Sequence, residues 1–198
     1  MEIQNIQGIR EGIRKKYAEV SNSAKGKFAY PTGEEGVRLL GYDPSLLEKL
    51  PGEVLESFCG VGNPFALGPI SPGAAVLDVG CGAGFDMIVA ARHVGPTGRV
   101  CGIDLTGEMV ERARKNVGLA GLFNREILEA GTEAIPFDDG SFDLVISNGV
   151  LNLSPCKEES FREILRVLKK GGGLQFADIV LMEGTVQATA CSIDAWSD

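Results

Sequence analysis

The sequence predicts an α/β fold: a doubly wound parallel sheet with an N-terminal helical cap. Three observations carry that reading. From residue 73 onward, short apolar runs alternate with amphipathic segments. Gly80, Gly82 and Gly84 crowd the junction between the first apolar run and the segment that follows it. Residues 1 to about 70 hold no strand pattern, yet they repeat apolar side chains at helical spacing. The expected organisation is therefore a cap over 1–70 and a sheet domain over 71–198.

The elements follow in chain order. Ile3, Ile6, Ile9, Ile13, Tyr17 and Val20 lie on one face of a 3.6-residue period, which predicts one amphipathic helix. "SNSAKGKFAYPTGEEG" reads as a loop. "DPSLLEKLP" and "PGEVLESFCG" read as short helices punctuated by proline and glycine. "AAVLDVG" is then a short apolar strand, "FDMIVAARHV" a helix and "GRVCGIDL" a second strand. Thr106 stands where an N-cap is expected, before the helix "GEMVERARKNVGLAG". "NREILEA" is a weaker strand and "FDLVISN" a strong one. "KEESFREILRVLKK" is an amphipathic helix closed by Gly171–Gly173, and "LQFADIV" is a fifth strand. Apolar strands alternating with helices argue for a parallel sheet covered on both faces. In such sheets the ligand crevice lies beyond the strand C-termini.

Composition narrows the functions. The chain has 198 residues, 44% of them hydrophobic, and a net charge of −8. An acidic chain is poorly suited to phosphate backbones or anionic membrane surfaces, so neither nucleic acid nor membrane is an expected partner. No apolar run reaches the ~20 residues of a membrane span. "MEIQNIQGIREGIRKK" carries charge throughout and does not read as a signal peptide. Cys59, Cys81, Cys101, Cys156 and Cys191 are scattered, odd in number and without a CxxC. That pattern points to reduced thiols in a cytoplasm, and away from a disulfide frame or a structural metal site.

The glycine-rich junction carries the chemistry. Glycines between a strand and a helix let the chain turn tightly and let a ligand approach the backbone, while the helix N-terminus offers free N–H groups. The second strand ends at Asp104. An acid there can accept hydrogen bonds from both hydroxyls of a ribose, each worth roughly 1.5–3 kcal/mol when charge-assisted. NAD and S-adenosylmethionine (SAM) both contain that ribose. NAD needs its pyrophosphate on the helix N-terminus. Asp78, two residues before the first glycine, would repel a pyrophosphate and would suit the ammonium of a methionyl group. SAM is the better fit. Asp78 has a plainer reading as a cap for the following helix, and Met109, at helical spacing, a plainer reading as core.

"VLDVGCGAGFD", "CGIDLTGEMVERAR", "EAIPFDDGSFDLVISN" and "EILRVLKKGGGLQFADIV" resemble the successive motifs of class I SAM-dependent methyltransferases, a Rossmann-like family. "GVGNP", "HVGPTGRV", "GIDLTGEMV" and "SNGVLNLSP" are similar, more narrowly, to the arsenite methyltransferase branch. The resemblance runs from about residue 53 to 180. It implies that the segment Asp78, Gly80, Cys81, Gly82, Gly84 cradles the methionine end. It implies that Asp104 holds the ribose with Leu105 and Met109 beside the adenine. Thr132 and Glu133 would flank the adenine edge, and Asn148, ending the fourth strand, would face the methyl group in the catalytic position.

The chain departs from that branch where the substrate should bind. The resemblance implies arsenic(III) held between cysteine thiolates, and the matching positions here are Val61 and Gly149; a third would follow "DAWSD". Cys59 and Cys156 lie near the first two, and Cys191 is more remote. The expected function is methyl transfer from SAM to a small-molecule acceptor, with arsenite as the named candidate. A methyltransferase of a small organic compound such as a quinol, or a SAM-binding domain without catalysis, remain alternatives. The only histidine, His93, sits on a helix away from the strand ends. A soft nucleophile needs little base assistance, so its remoteness is compatible with a soft acceptor. Only five strands are visible, so the fifth is expected to present an open edge, either because the chain is cut short or because a homodimer covers it.

Overall fold

A computed structural model describes residues 3–122 and 125–180, with side chains from residue 6. Its element order is α1 (Ile3–Val20), α2 (Gly33–Leu39), α3 (Pro44–Leu47), α4 (Gly52–Glu56), β1 (Ala75–Val79), α5 (Phe85–Val94), β2 (Arg99–Asp104), α6 (Gly107–Leu119), β3 (Glu126–Glu129), β4 (Phe142–Asn148), α7 (Lys157–Val167) and β5 (Leu168–Ala177). Two 3-10 turns, Pro64–Leu67 and Leu151–Leu153, complete it.

All strands run parallel, in the order β3-β2-β1-β4-β5. The chain builds outward from β1 to β3 and then returns to the other side of β1. The strand order therefore reverses between β1 and β4, and a crevice opens at their C-terminal ends. Alternate residues along β1 face opposite layers, as the pleat requires. Val76 joins one core with Met87 and Ile88 of α5 and Val110 of α6, while Leu77 and Val79 join another with Ile164 and Val167 of α7. Val37, Val54 and Phe58 from the first 70 residues pack into the same core as α5 and β1. A third, smaller cluster joins Val20 of α1 to Ala83 and Met109. No helix among the described residues is long and apolar enough to cross a membrane.

The helix-strand alternation stands as the sequence predicts, with three corrections at junctions. The expected loop over 21–36 ends early, because α2 starts at Gly33 with Glu34 and Glu35 in its first turn, where acids favour a helix start. The helix expected to run through Lys170 stops at Val167. The glycines expected to close it lie inside β5, which begins at Leu168 rather than near residue 174. Sheet pairing explains the difference. Gly140 N–H and Ser141 N–H donate to the carbonyls of Arg166 and Val167, and Leu168 then pairs with Phe142. Gly173 pairs with Leu144, so the extra residues on β5 form a bulge, in which Gly171 takes a φ of +84°. Thr106 occupies the N-cap position of α6, but its side chain makes no capping bond; its N–H instead donates to Asp104 Oδ1 at 2.9 Å.

Candidate functional site

The crevice is a cavity walled by strand ends and roofed by α1. Gly80 and Gly82 after β1, Asp104 and Leu105 after β2, Ala130 to Glu133 after β3, and Asn148 to Val150 after β4 line it. Arg10, Ile13 and Tyr17 of α1 close it from above. A larger, open groove between α1 and α6 is lined mostly by exposed charges and lies outside the strand ends.

The glycine loop is shaped by the acid across from it. Gly80 and Gly82 have φ of +74° and +50°, where glycine is favoured, and the space a side chain at Gly82 would take is open. Gly82 N–H donates to Asp104 Oδ2 at 2.9 Å. Asp104 thus ties its own loop, through Thr106, to the glycine turn. Burial pushes its carboxyl up to about 6, against the pull of those N–H donors. Each oxygen keeps a lone pair beyond the bond it accepts.

Asp78 sits deeper, 2% exposed at the heart of β1. It accepts from Met87 N–H in the first turn of α5, so the plain capping role is present. Its Oδ2 nevertheless has no hydrogen-bond partner. Burial, then the neighbouring Asp86 and Asp104, drive its carboxyl well above the usual range. An orphaned carboxylate oxygen beside two other acids is costly unless a cation or donor meets it. Asp78 is not part of the cavity lining, so an ammonium would have to reach past the glycine turn to meet that oxygen.

Asn148 is held at both ends of its amide. Oδ1 accepts from Val61 N–H at 2.9 Å and Gly62 N–H at 3.1 Å. Nδ2 lies 2.8 Å from Gly62 O, 2.9 Å from Asp86 Oδ2 and 3.2 Å from Tyr42 Oη. Tyr42 donates to Asp86 Oδ1 at 2.8 Å. The residue expected opposite a transferred methyl therefore lines the cavity while clamping the Cys59–Gly62 loop to β4. Asp86, whose carboxyl burial raises to about 6, is part of that clamp.

The remaining sequence candidates divide. Leu105, Thr132 and Glu133 line the cavity. Cys81, Gly84 and Met109 do not. Met109 is buried under α1 beside Val20 and Ala83, and Cys81 is buried in the main core. Val61 and Gly149 do meet: a side chain at Gly149 would come 3.2 Å from a Val61 methyl. The pair is apolar, and the φ of +71° at Gly149 disfavours any side chain there. Cys59 lines the cavity, and burial, followed by the charges of Asp104 and Asp86, pushes its thiol up to about 12. Cys156 stands at the start of α7, outside the lining, and Cys191 lies outside the described residues. His93 is exposed and stacks on Phe65, as its position on α5 suggested.

Several lining residues were not read from the sequence. Arg10 pairs with Glu133 at 3.4 Å and Ser154 donates to Glu133 Oε1 at 2.9 Å, while Arg14, outside the lining, donates from Nε to Leu105 O at 3.3 Å. Tyr17 is so enclosed that its phenol is driven far above the usual range. A tyrosine inside an isoleucine stripe was the available signal, since its hydroxyl needs a polar neighbour.

The chain is similar to known methyltransferases. Residues 70–196 match the methyltransferase domain family. An arsenite methyltransferase of Halobacterium salinarum is 36% identical over 185 residues, covering 86% of this chain and 47% of that protein. A demethylmenaquinone methyltransferase of Listeria welshimeri is 38% identical over 109 residues, covering 55% of this chain and 46% of that protein. Among solved structures, an arsenic(III) S-adenosylmethionine methyltransferase from Chlamydomonas reinhardtii superposes with a TM-score of 0.62 at 37% identity, covering 70% of this chain and 50% of that one. The chain spans about half the length of these three relatives.

Proposed function

The chain belongs to the methyltransferase domain family, and from that premise we propose that it binds S-adenosylmethionine and transfers its methyl group to a small-molecule acceptor. One observation carries the reading. A single cavity at the β1/β4 switch point joins an open glycine turn to the acid ending β2, with the orphaned Asp78 oxygen behind them. SAM supplies a methyl on a positively charged sulfur with a good leaving group already in place. The chain's own residues bind and align. Gly80 and Gly82 admit the methionine end, Asp78 answers its ammonium from behind the turn, and Asp104 accepts from the ribose. Leu105 and Ala130 offer apolar walls to the base, with Thr132 and Glu133 at its edge. Asn148 fixes the loop that bounds the reaction space. Alignment of this kind supplies much of the rate in an in-line displacement.

The relatives favour arsenite as the named acceptor, with a small organic compound such as a quinol as the second reading, favoured by the demethylmenaquinone relative. The local chemistry disfavours tight arsenite binding by this chain. Val61 and Gly149 carry no thiol, and Cys59 is protonated at neutral pH. Titration of arsenite into SAM-loaded protein is expected to show weak binding and slow turnover. Tight stoichiometric binding, lost in Cys59→Ser and Cys156→Ser, would show that displaced cysteines hold the metalloid. Absence of SAM binding in the same calorimeter would remove the function altogether.

The cap over the cavity acts as a lid on this reading. Arg10, Ile13 and Tyr17 form the roof, and Arg10–Glu133 is a half-exposed pair worth at most about 1 kcal/mol. The roof is therefore held mainly by the burial of Ile9, Ile13 and Val20. Deletion of residues 1–20 is expected to speed SAM release at least tenfold in stopped-flow displacement. An unchanged release rate would mean that α1 is packing only.

A further inference from the structure

The geometry points to Ser160 as a positioning residue that makes the cavity select a 6-aminopurine over a 6-oxopurine. It acts by fixing which way the hydroxyl of Thr132 faces. This deepens the SAM reading and rests on it.

Four side chains form a line that leaves the cavity wall at Thr132, passes through the buried Ser160 and returns to the wall at Ser154 and Glu133. Thr132 Oγ1 lies 2.7 Å from Ser160 Oγ, Ser160 Oγ lies 2.9 Å from Ser154 Oγ, and Ser154 Oγ lies 2.9 Å from Glu133 Oε1. Ser160 is fully buried on α7, and Ser154 is 5% exposed. Distances alone leave the proton order open, but the two ends settle it. The Glu133 carboxylate, paired with Arg10, can only accept, so Ser154 spends its one proton there. Ser154 also accepts from Cys156 N–H at 3.1 Å. For the 2.9 Å contact between the serines to be a hydrogen bond, Ser160 must be its donor. Ser160 then has no proton left for Thr132, so Thr132 must donate to Ser160. A weaker 3.2 Å contact from Ser160 to Cys156 O shares the Ser160 proton and does not alter this order.

Thr132 lines the cavity, yet its proton is turned away from it. What it offers a ligand is lone pairs. Glu133, beside it in the same wall, also offers only lone pairs. With a ribose at Asp104, the base lies beyond it, between Leu105 and Ala130 and against these two residues. Side-chain acceptors on Thr132 and Glu133 suit the amine on C6 of adenine and oppose the carbonyl on C6 of hypoxanthine, while the Arg10 guanidinium in the same lining is paired with Glu133. Without the buried chain, Thr132 could rotate and donate to either ligand's acceptor, and the site would lose that discrimination.

The test is calorimetric titration of the whole chain with S-adenosylhomocysteine and with its 6-oxo counterpart, S-inosylhomocysteine. The wild type is expected to prefer the adenosyl ligand by at least about tenfold, the effect of one misplaced hydrogen bond in an enclosed site. Ser160→Ala is expected to reduce the preference to within about threefold, mainly by gaining affinity for the inosyl ligand. A general loosening of the fold would instead weaken both ligands together. Thr132→Ser, which keeps the hydroxyl, should retain the preference. Thr132→Val, which removes it, should lower adenosyl affinity and carries the test if Ser160→Ala does not fold. No preference in the wild type, or an unchanged ratio in Ser160→Ala and Thr132→Val, overturns the proposal. Failure of the wild type to bind either ligand overturns the SAM reading and this inference together, whereas binding with an insensitive ratio overturns this inference alone.

Discussion

Asp104→Ala is expected to weaken SAM binding by about 2–4 kcal/mol, roughly 30- to 1000-fold in dissociation constant. Two effects add. The ribose would lose two charge-assisted acceptors. The glycine turn would also lose its tether, because Gly82 N–H and Thr106 N–H both donate to this carboxylate. Asp104→Asn separates them, since an amide can keep one N–H acceptor while losing the charge. The pH dependence follows from burial, which lifts the carboxyl to about 6. Below that value the group binds a proton and is a poorer acceptor for ribose hydroxyls. SAM affinity should therefore fall as pH drops from 7 toward 5, and Asp104→Asn should flatten that slope. The sign is opposite for the stability of the ligand-free protein. A carboxyl raised above its unfolded value binds the proton more tightly in the folded state. Its contribution is fully present below about pH 4 and is lost as pH rises through 6. The carboxylate that favours the ligand is thus a burden on the empty fold, which is a frequent trait of binding sites. Calorimetry from pH 5 to 8 on the three proteins checks both statements. Equal affinities at pH 7 would remove Asp104 from the site.

The sheet was legible because its signals are local. The run at β1 is apolar, ends in glycines and leads into a helix whose bounds, Phe85–Val94, match the segment read from sequence. The acid ending β2 stands out for the same reason. The junction of α7 with β5 was not legible, because "LKKGGG" has the chemistry of a helix end. Only pairing with Phe142 and Leu144, more than twenty residues earlier, decides that it is a bulged strand. The site divides along the same line. Residues at strand ends follow from motif position. The partners that hold them do not: Tyr42 meets Asp86 across 44 residues, and Asn148 meets the Val61 N–H across 87. No period or propensity encodes such a contact. Met109 shows the converse. Its sequence neighbourhood suggested the cofactor, but α1 packs over it, and the fold places it behind the cavity wall.

Asn148→Ala is expected to destabilise the protein by about 3–5 kcal/mol and to weaken SAM binding as a consequence. The amide answers two backbone N–H groups and donates to Gly62 O and the buried Asp86. Removing it leaves those N–H groups unpaired in a partly buried loop and strips the Asp86 carboxylate of one of its two side-chain donors. The loop cannot simply collapse into the vacated space. Gly62 already lies so close to Ala177 of β5 that a Cβ there would collide with it, which blocks the loop on that side. Asn148→Asp distinguishes the clamp from mere volume. Its shape is nearly unchanged, and one oxygen can still accept from Val61 and Gly62. The other, however, would face Asp86 Oδ2 where a donor stood 2.9 Å away. Two carboxylates at that range share a proton, and the pair titrates above either group's unfolded value. Stability of this variant should therefore be nearest wild type at pH 5 and fall as pH rises toward 8. Asn148→Ala creates no such pair, but loss of the amide donor also lifts the Asp86 carboxyl, so it should show an added slope of the same sign and smaller size. Urea unfolding of the two variants and wild type at pH 5 and pH 8 reads the difference. If both variants lost the same stability at both pH values, the Asn148–Asp86 contact would carry no weight, and the loop would be held by packing on Tyr42 and Phe58 instead.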